Sequence, residues 1–273
     1  MEHAGGPECE AADPFALLER RIDRAGARPD GAHVVSKLAL LLLAAALALA
    51  TAGSPAASRP TPVRTVEFSG YTWQVKSSTG LVGPGPNLFS DSAGNVWVDA
   101  LGRLHLKLTY SKGRWRCAEV INTQSLGRGR YSFALDSRVD ALDRNVVLGL
   151  FTWSDDPAYA NRELDIEFSR WGNAGDPTNG QYVVQPYDHP GNLQRITQPA
   201  AAASTHSFDW QPGSVAFGSS TAAPSTWTYA GPDVPPPGGE HVRMNLWLYR
   251  GAAPSDGKSV EVVVRRFSFT PAP

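Results

Sequence analysis

Cysteine is nearly absent: the 273 residues hold two, Cys9 and Cys117, alongside only two methionines. At most one bridge could form, so a disulfide scaffold is excluded. Charge is sparse at 19% of residues and balances to a formal −1, so no basic field argues for nucleic acid as a partner. Glycine and proline, at 26 and 22, stay below the roughly 25–30% of low-complexity chains. With 42% apolar residues, the chain has the material for a packed core. Several catalytic motifs are missing as well. No Gly-x-Ser-x-Gly marks a nucleophile elbow, no His-Glu-x-x-His marks a zinc site, and the six histidines show no metal-ligand spacing. The stretch Gly251–Ser259 (GAAPSDGKS) mimics a phosphate loop. It has one residue too many between its glycines and no helix-like sequence after it, so it reads as a plain loop.

Long apolar runs are lacking too, with one exception. Leu38–Ala52 (LALLLLAAALALATA) is apolar for 15 residues after Lys37 and gives way to Gly53, Ser54 and Pro55. A bilayer span needs about 20 residues. The small residues Ala48, Ala50 and Ala52 instead suit a signal-peptidase site. The segment Met1–Ala32 is polar and too long for the n-region of such a peptide, which points to a misassigned start over residues 1–33. Residues 1–59 are therefore expected to be a leader, and 60–273 a single exported domain without a membrane span. That domain carries equal numbers of basic and acidic side chains. Cys9 leaves with the leader, and Cys117 becomes a lone thiol that reads as a small buried hydrophobe.

From Arg64 onward the pattern is all-β. Leu104, Leu106 and Leu108 alternate with His105, Lys107 and Thr109, a period of two that puts one face on a core. Similar segments recur at Asn95–Asp99, Trp115–Asn122, Arg130–Leu135, Val146–Trp153, Glu163–Arg170, Gln181–Gln185, His206–Trp210, His241–Leu248 and Ser259–Ser268. Glycine-containing turn sequences separate several of them, and no stretch after Pro60 keeps a helical period. Many short strands of this kind make a β-sandwich or jelly roll of antiparallel sheets. The proline-rich segment Gly231–Gly239 is expected to be a loop inside the domain, because strand-like sequence resumes after it.

The segment richest in chemistry is Glu163-Leu164-Asp165-Ile166-Glu167-Phe168. As a strand it turns Leu164, Ile166 and Phe168 to one face and Glu163, Asp165 and Glu167 to the other. Like charges in a row repel, and a strongly apolar opposite face points to a central strand, where water cannot relieve that repulsion. The arrangement suits paired-carboxylate catalysis. The Cα atoms of Glu163 and Glu167 lie about 13 Å apart, and inward-leaning side chains bring the carboxyl groups to about 5–7 Å, overlapping the 5–5.5 Å of a retaining glycosidase. Asp165 lies between them, shorter by a methylene. Its expected task is to hydrogen-bond a neighbouring Glu and hold the charge states apart.

The run ELDIEF resembles the catalytic strand of family 16 glycoside hydrolases, the concanavalin-like jelly rolls that include bacterial endo-β-1,3-1,4-glucanases (lichenases). Cys117-Ala118-Glu119, Gly149-Leu150-Phe151-Thr152-Trp153, His206-Ser207-Phe208-Asp209-Trp210-Gln211-Pro212-Gly213 and Met244-Asn245-Leu246-Trp247 are similar to further family motifs in the same order. The resemblance extends from about Phe68 to Thr270. It implies a nucleophile at Glu163, an assisting Asp165 and an acid/base at Glu167, in the version of the strand without an extra residue before the last Glu. It also implies substrate contacts at Glu119, Trp153, Asn245 and Trp247, while Trp210 and Trp97 are assigned to the core. Glu119 could instead anchor the acidic row.

The chain departs from the family at several points. The cysteine that partners Cys-Ala-Glu in lichenases has no counterpart around Asn95-Val96-Trp97. The family arginine after Glu119 is Ile121, a tryptophan before the nucleophile gives way to the Tyr159–Arg162 stretch, and an Asn-Tyr-Tyr segment reads Val183-Val184-Gln185. The expected protein is a secreted, monomeric, endo-acting hydrolase of a β-glucan that needs no cofactor for catalysis; a structural calcium is left open. Two alternatives stand beside it: a lectin-like sandwich that binds polysaccharide without cleaving it, and the same fold acting as a transglycosylase or on another polymer.

Overall fold

Apolar–polar alternation shapes the structure, a computed structural model that describes residues 62–221 and 223–273. The leader, its apolar stretch 38–52, the start at 1–33 and Cys9 lie outside the described residues. The chain begins with β1 (Thr65–Phe68), β2 (Tyr71–Val75), β3 (Val96–Val98), β4 (Leu104–Ser111), β5 (Arg114–Arg116) and β6 (Ala118–Asn122). It continues through β7 (Gly129–Leu135), β8 (Val146–Trp153), β9 (Leu164–Phe168), β10 (Gly180–Val184) and β11 (Leu193–Ile196). The last strands are β12 (Ser204–Gln211), β13 (Ser214–Ser220), β14 (Ser225–Tyr229), β15 (His241–Leu248) and β16 (Val260–Pro271). Among the described residues helix is confined to three-residue 3-10 turns, and none is long and apolar enough to cross a membrane.

Two antiparallel sheets form a jelly-roll sandwich. The first runs β1-β2-β6-β15-β8-β9-β10-β11; the second runs β14-β13-β12-β7-β16-β4-β3, with β5 hydrogen-bonded to β4. Leu164, Ile166 and Phe168 of β9, Leu148 and Leu150 of β8 and Met244 and Leu246 of β15 turn inward and are fully buried. Opposite them lie Phe133 of β7, Phe208 of β12 and Val262 and Val264 of β16. Phe267 ties the layers together, its ring edge-on to Trp73 of the first sheet at 5.3 Å and 5.4 Å from Phe133 of the second. Aromatic pairs in this range add to the stabilisation from burial alone. As expected, β9 is a central strand, between β8 and β10.

Several expected boundaries shift. Trp115–Asn122 is two strands: β5 pairs with β4, whereas β6 pairs with β15 and β2 in the first sheet. Cys117 sits at this crossing, fully buried and free, with Sγ 3.4 Å from Asn87 Oδ1. Burial pushes its thiol up to about 12. The neighbour of Cys117 is therefore the Asn87–Phe89 segment, bridged at Phe89, and not the Asn95–Trp97 region in which a partner cysteine is sought above. Trp210 is core, as expected. Trp97 is only half-buried and stacks on His105 at 4.5 Å, because its neighbour Val96 takes the inward position on β3. The strands β1, β2, β11, β13 and β14 carry no clear signal in the sequence. They are short, serine- and threonine-rich, or at sheet margins where one face need not be apolar. The proline-rich segment 231–239 is a loop without strand, as expected.

Truncating the aromatic tie should be costly. Phe267→Ala is expected to lower unfolding free energy by about 3–5 kcal/mol in denaturant titrations, since it empties a site walled by rings from both sheets. A loss below about 1 kcal/mol would mean that the layers are held elsewhere.

Candidate active site

The inward anchoring of Leu164, Ile166 and Phe168 forces Asp165 and Glu167 onto the outer face of the first sheet. Register then selects their neighbours. Glu167 lies between Gly149 of β8 and Gln181 of β10, and Asp165 between Phe151 and Val183. On the far side of β8, Gly149 pairs with Asn245 of β15, which in turn pairs with Glu119 of β6. One lateral row thus reads Glu119, Asn245, Gly149, Glu167, Gln181. Glu163 falls just outside β9, but its carbonyl accepts from Gln185 N at 3.1 Å, which continues the β10 pairing past the strand end. Thr152 Oγ1 accepts from Leu164 N at 3.1 Å and donates to Arg162 O at 3.3 Å, closing the kink before the strand.

Asp165 and Glu167 are almost inaccessible, whereas Glu163 is half-buried. Desolvation dominates all three and disfavours their ionised forms. It pushes Glu167 up to about 8, helped by the charge of Asp165 and opposed by the Gln181 amide. Glu163 is also pushed up to about 8 by desolvation; a hydrogen bond from Asp165 and the field of Arg243 oppose the shift, and Glu167 and Glu119 add to it. Asp165 rises well above the carboxylate range, by desolvation, by repulsion from Glu163 and by their shared hydrogen bond. Their shared hydrogen bond raises Asp165 and lowers Glu163, so within the pair the proton is favoured on Asp165. Two amides complete the row: Gln181 Nε2 donates to Glu167 Oε2 at 2.8 Å, and Gln185 Nε2 to Asp165 Oδ2 at 3.1 Å. Arg195, paired with Asp176 at 2.8 Å, donates to Gln181 Oε1 at 3.0 Å and fixes which way that amide faces.

Glu119 is held differently. Lys76 Nζ lies 2.8 Å away and Arg243 Nη1 3.2 Å away, and Asn245 Nδ2 approaches at 3.5 Å. Glu119 is thus the centre of an ion-paired network on β6, away from the acidic row on β9. The buried Oδ1 of Asn245 has no hydrogen-bond partner, and a Cβ on Gly149 would stand 2.5 Å from it. Glycine here leaves the amide room beside Glu167.

Aromatic rings stand at both ends of the acidic row. Trp153 lies two residues past Phe151 on the same face of β8 and stays partly exposed, with Nε1 donating to Asp155 at 3.0 Å. Trp247 is buried, its ring 6.1 Å from that of Trp171, which Tyr249 flanks at 5.6 Å. Trp171 follows β9 in the left-handed region at φ 51°, a strained choice for an aromatic residue, and it covers the Trp247 ring. All seven candidate residues thus lie on one face of one sheet. The missed contributors are Gln181, Gln185, Arg195, Gly149 and Arg243. The same alternation could have found Gln185, two residues past Val183, and Arg243, two before Asn245. Among the described residues no three His, Cys, Asp or Glu side chains converge as metal ligands.

No protein-family model matches the chain. Among curated proteins, the β-glucanase of Paenibacillus macerans is 30% identical over 161 residues, 57% of this chain and 63% of that one. The β-glucanase of Bacillus subtilis is 29% identical over 162 residues, 57% and 62% of the two chains. The match thus spans just under two thirds of these relatives' length. Among solved structures, a Bacillus licheniformis β-glucanase matches with a TM-score of 0.58 at 22% identity, over 78% of this chain and 100% of that one. A protein described as a pseudo β-1,3-glucanase of Mycobacterium tuberculosis matches with a TM-score of 0.57 at 20% identity, over 74% and 91%. The chain is β-glucanase-like in sequence and has the jelly-roll fold of these proteins.

Burying the row at neutral pH should cost stability. Glu167 binds its proton more tightly folded than unfolded, so native stability falls as pH rises from about 4.5 towards 8. Glu167→Gln is expected to unfold about 1–3 kcal/mol later than wild type at pH 7 and at the same point at pH 4. An equal gain at both values would trace the effect to packing instead.

Proposed function

We propose that this β-glucanase-like chain is an exported family 16 glycoside hydrolase that cleaves internal β-glycosidic bonds of a neutral glucan with retention of configuration. One observation carries the reading: register sets Asp165 and Glu167 on the outer face of a central strand, with Glu163 at its start and the Gln181 and Gln185 amides orienting the carboxyl groups from the next strand. Glu163 then attacks the anomeric carbon as a carboxylate. Glu167 gives its proton to the departing glycosidic oxygen, leaving a sugar ester on Glu163. In the second half, Glu167 takes a proton from water as the water oxygen attacks the same carbon, and Glu163 leaves as a carboxylate. The Gln181 bond occupies Oε2 of Glu167 and leaves Oε1 to carry the transferred proton. Asn245 lies beside Glu167 with a buried, unpartnered Oδ1, and its contact with a sugar hydroxyl requires that oxygen to be uncovered.

The pairing of charges near the row supports a neutral substrate. Lys76 and Arg243 are committed to Glu119, Arg195 to Asp176 and Arg162 to the carbonyls of Pro237 and Gly238. No cation named here is left over for a sulfate or uronate. The sandwich acts as a single exported unit from about residue 60, and catalysis draws only on side chains. The likeness to a pseudo-glucanase favours a second reading, a binding sandwich without turnover.

Incubation with mixed-linkage β-glucan, laminarin and xyloglucan, following new reducing ends, separates the two. Wild type is expected to release ends from at least one polymer, and Glu163→Ala to lose about 1,000-fold or more in kcat. Glu163 and Glu167 are both pushed up to about 8, and the reaction needs the first ionised and the second protonated, so activity should follow a bell that rises as Glu163 loses its proton and falls as Glu167 does. Binding without release in both proteins would establish the binding sandwich, and full activity in Glu163→Ala would remove the nucleophile assignment.

A further inference from the structure

Beyond the row lies an arrangement that hydrolysis itself does not require. Asp155, in the turn after β8, has a side chain 80% exposed, yet both of its oxygens are fixed by donors from within the molecule. Oδ1 accepts from Trp153 Nε1 at 3.0 Å, and Oδ2 accepts from Arg243 Nη2 at 2.7 Å. Arg243 is buried, with only 5% of its side chain exposed, and its other terminal nitrogen is tied to Glu119. An exposed loop aspartate is ordinarily free to rotate in water and gains little from a surface ion pair. Here a buried guanidinium and an indole edge immobilise it, and the second lone pair on each oxygen is turned to solvent. Desolvation works against its charge, but Arg243 and Trp153 prevail and the carboxyl stays ionised, below the usual range.

We propose that Asp155 binds sugar directly: with the Trp153 ring it forms a rim site at the Glu163 end of the acidic row, accepting hydrogen bonds from two adjacent hydroxyls of a neutral pyranose. The indole supplies a flat apolar surface for one face of the ring, and its polar edge is already satisfied by Asp155. The carboxylate supplies two aligned acceptors, and charge-assisted hydrogen bonds are the stronger kind. Arg243 is a positioning residue that acts through Asp155. The site rests on the glycan-binding part of the proposed function but not on turnover. Because Asp155 stands apart from the carboxylates that make and break bonds, it contributes to substrate binding and leaves the chemical step alone.

The test measures binding and turnover separately. In a Glu163→Gln background, calorimetry with soluble oligosaccharides of mixed-linkage β-glucan, laminarin and xyloglucan is expected to show binding that weakens about 10-fold on adding Asp155→Ala. In the otherwise native protein, Asp155→Ala should raise KM by a similar factor with kcat unchanged. Arg243→Met should raise KM at least as much and also change kcat, because its charge acts on Glu119 and Glu163 as well, and adding Asp155→Ala to it should raise KM little further; Asp155→Ala alone keeps the test open if the arginine variant fails to fold. Unchanged Kd and KM in Asp155→Ala would overturn the proposal, as would a fall in kcat at constant KM. Asp155-dependent binding without reducing-end release would sink the proposed reaction and leave this site standing. Release with a KM indifferent to Asp155 would do the reverse. No binding and no release with any of the three glucans would overturn both.

Discussion

The cost of holding three carboxylates side by side without water organises this molecule. Like charges two residues apart on one strand repel, and desolvation raises each further, so the row exists only because the opposite face of β9 is pinned. Leu164, Ile166 and Phe168 are fully buried between the sheets, and releasing the carboxylates to water would expose them. The inner face thus enforces what the outer face resists. Such opposition is the usual relation between stability and function, where a site keeps groups in states that an unconstrained chain would relax.

How the row is solvated then decides its chemistry. The side chains that hydrogen-bond Glu167 and Asp165 across β10 are amides, Gln181 and Gln185, which orient the carboxyl groups without cancelling their charge. The cations go to Glu119, three strands away on β6, where Lys76 and Arg243 form ion pairs with its buried carboxylate. Exchanging the two arrangements would defeat both: a guanidinium on Glu167 would hold it ionised and unable to donate, and an unpaired Glu119 would be a bare buried charge. The same outer face therefore carries a proton-rich strip beside an ion-paired one, with Asn245 and the flat Gly149 between them.

Much of this was legible in the sequence because it depends on a period of two. The three leucines of β4, the catalytic strand and the motif around Asn245 each announce which side chains share a face, and their neighbours in the sheets agree. What was hidden is what register decides. Nothing along the chain says that Gln181, 14 positions on, faces Glu167, or that Arg243 reaches both Glu119 and Asp155. Packing also overrules local pattern. Trp115–Asn122 reads as one strand but crosses between sheets at Cys117, and Trp97 reads as core but stacks on His105 because Val96 takes the inner position. The half-polar strands β13 and β14 keep the period of two, with Val215 and Phe217 on one and Trp227 and Tyr229 on the other, but two apolar residues each are too few to stand out among the serines and threonines.

Arg243 illustrates how a site can keep its electrostatics while changing its sequence. In this chain Ile121 occupies the outer-face position next along β6 from Glu119, and register places Arg243 of β15 directly opposite it. Two residues paired across a sheet offer nearly the same volume to side chains, so a guanidinium supplied from either strand can reach a carboxylate on the first. Supplying it from β15 has a consequence that a guanidinium on β6 would not share. From the strand beside β8, the remaining nitrogen extends past Phe151 to the loop after Trp153, and Asp155 becomes part of the network. In the proposed reaction, β9 and the amides beside it set the acids. The arginine's strand of origin fixes which rim residue is held still, and recognition can change there without disturbing the acids.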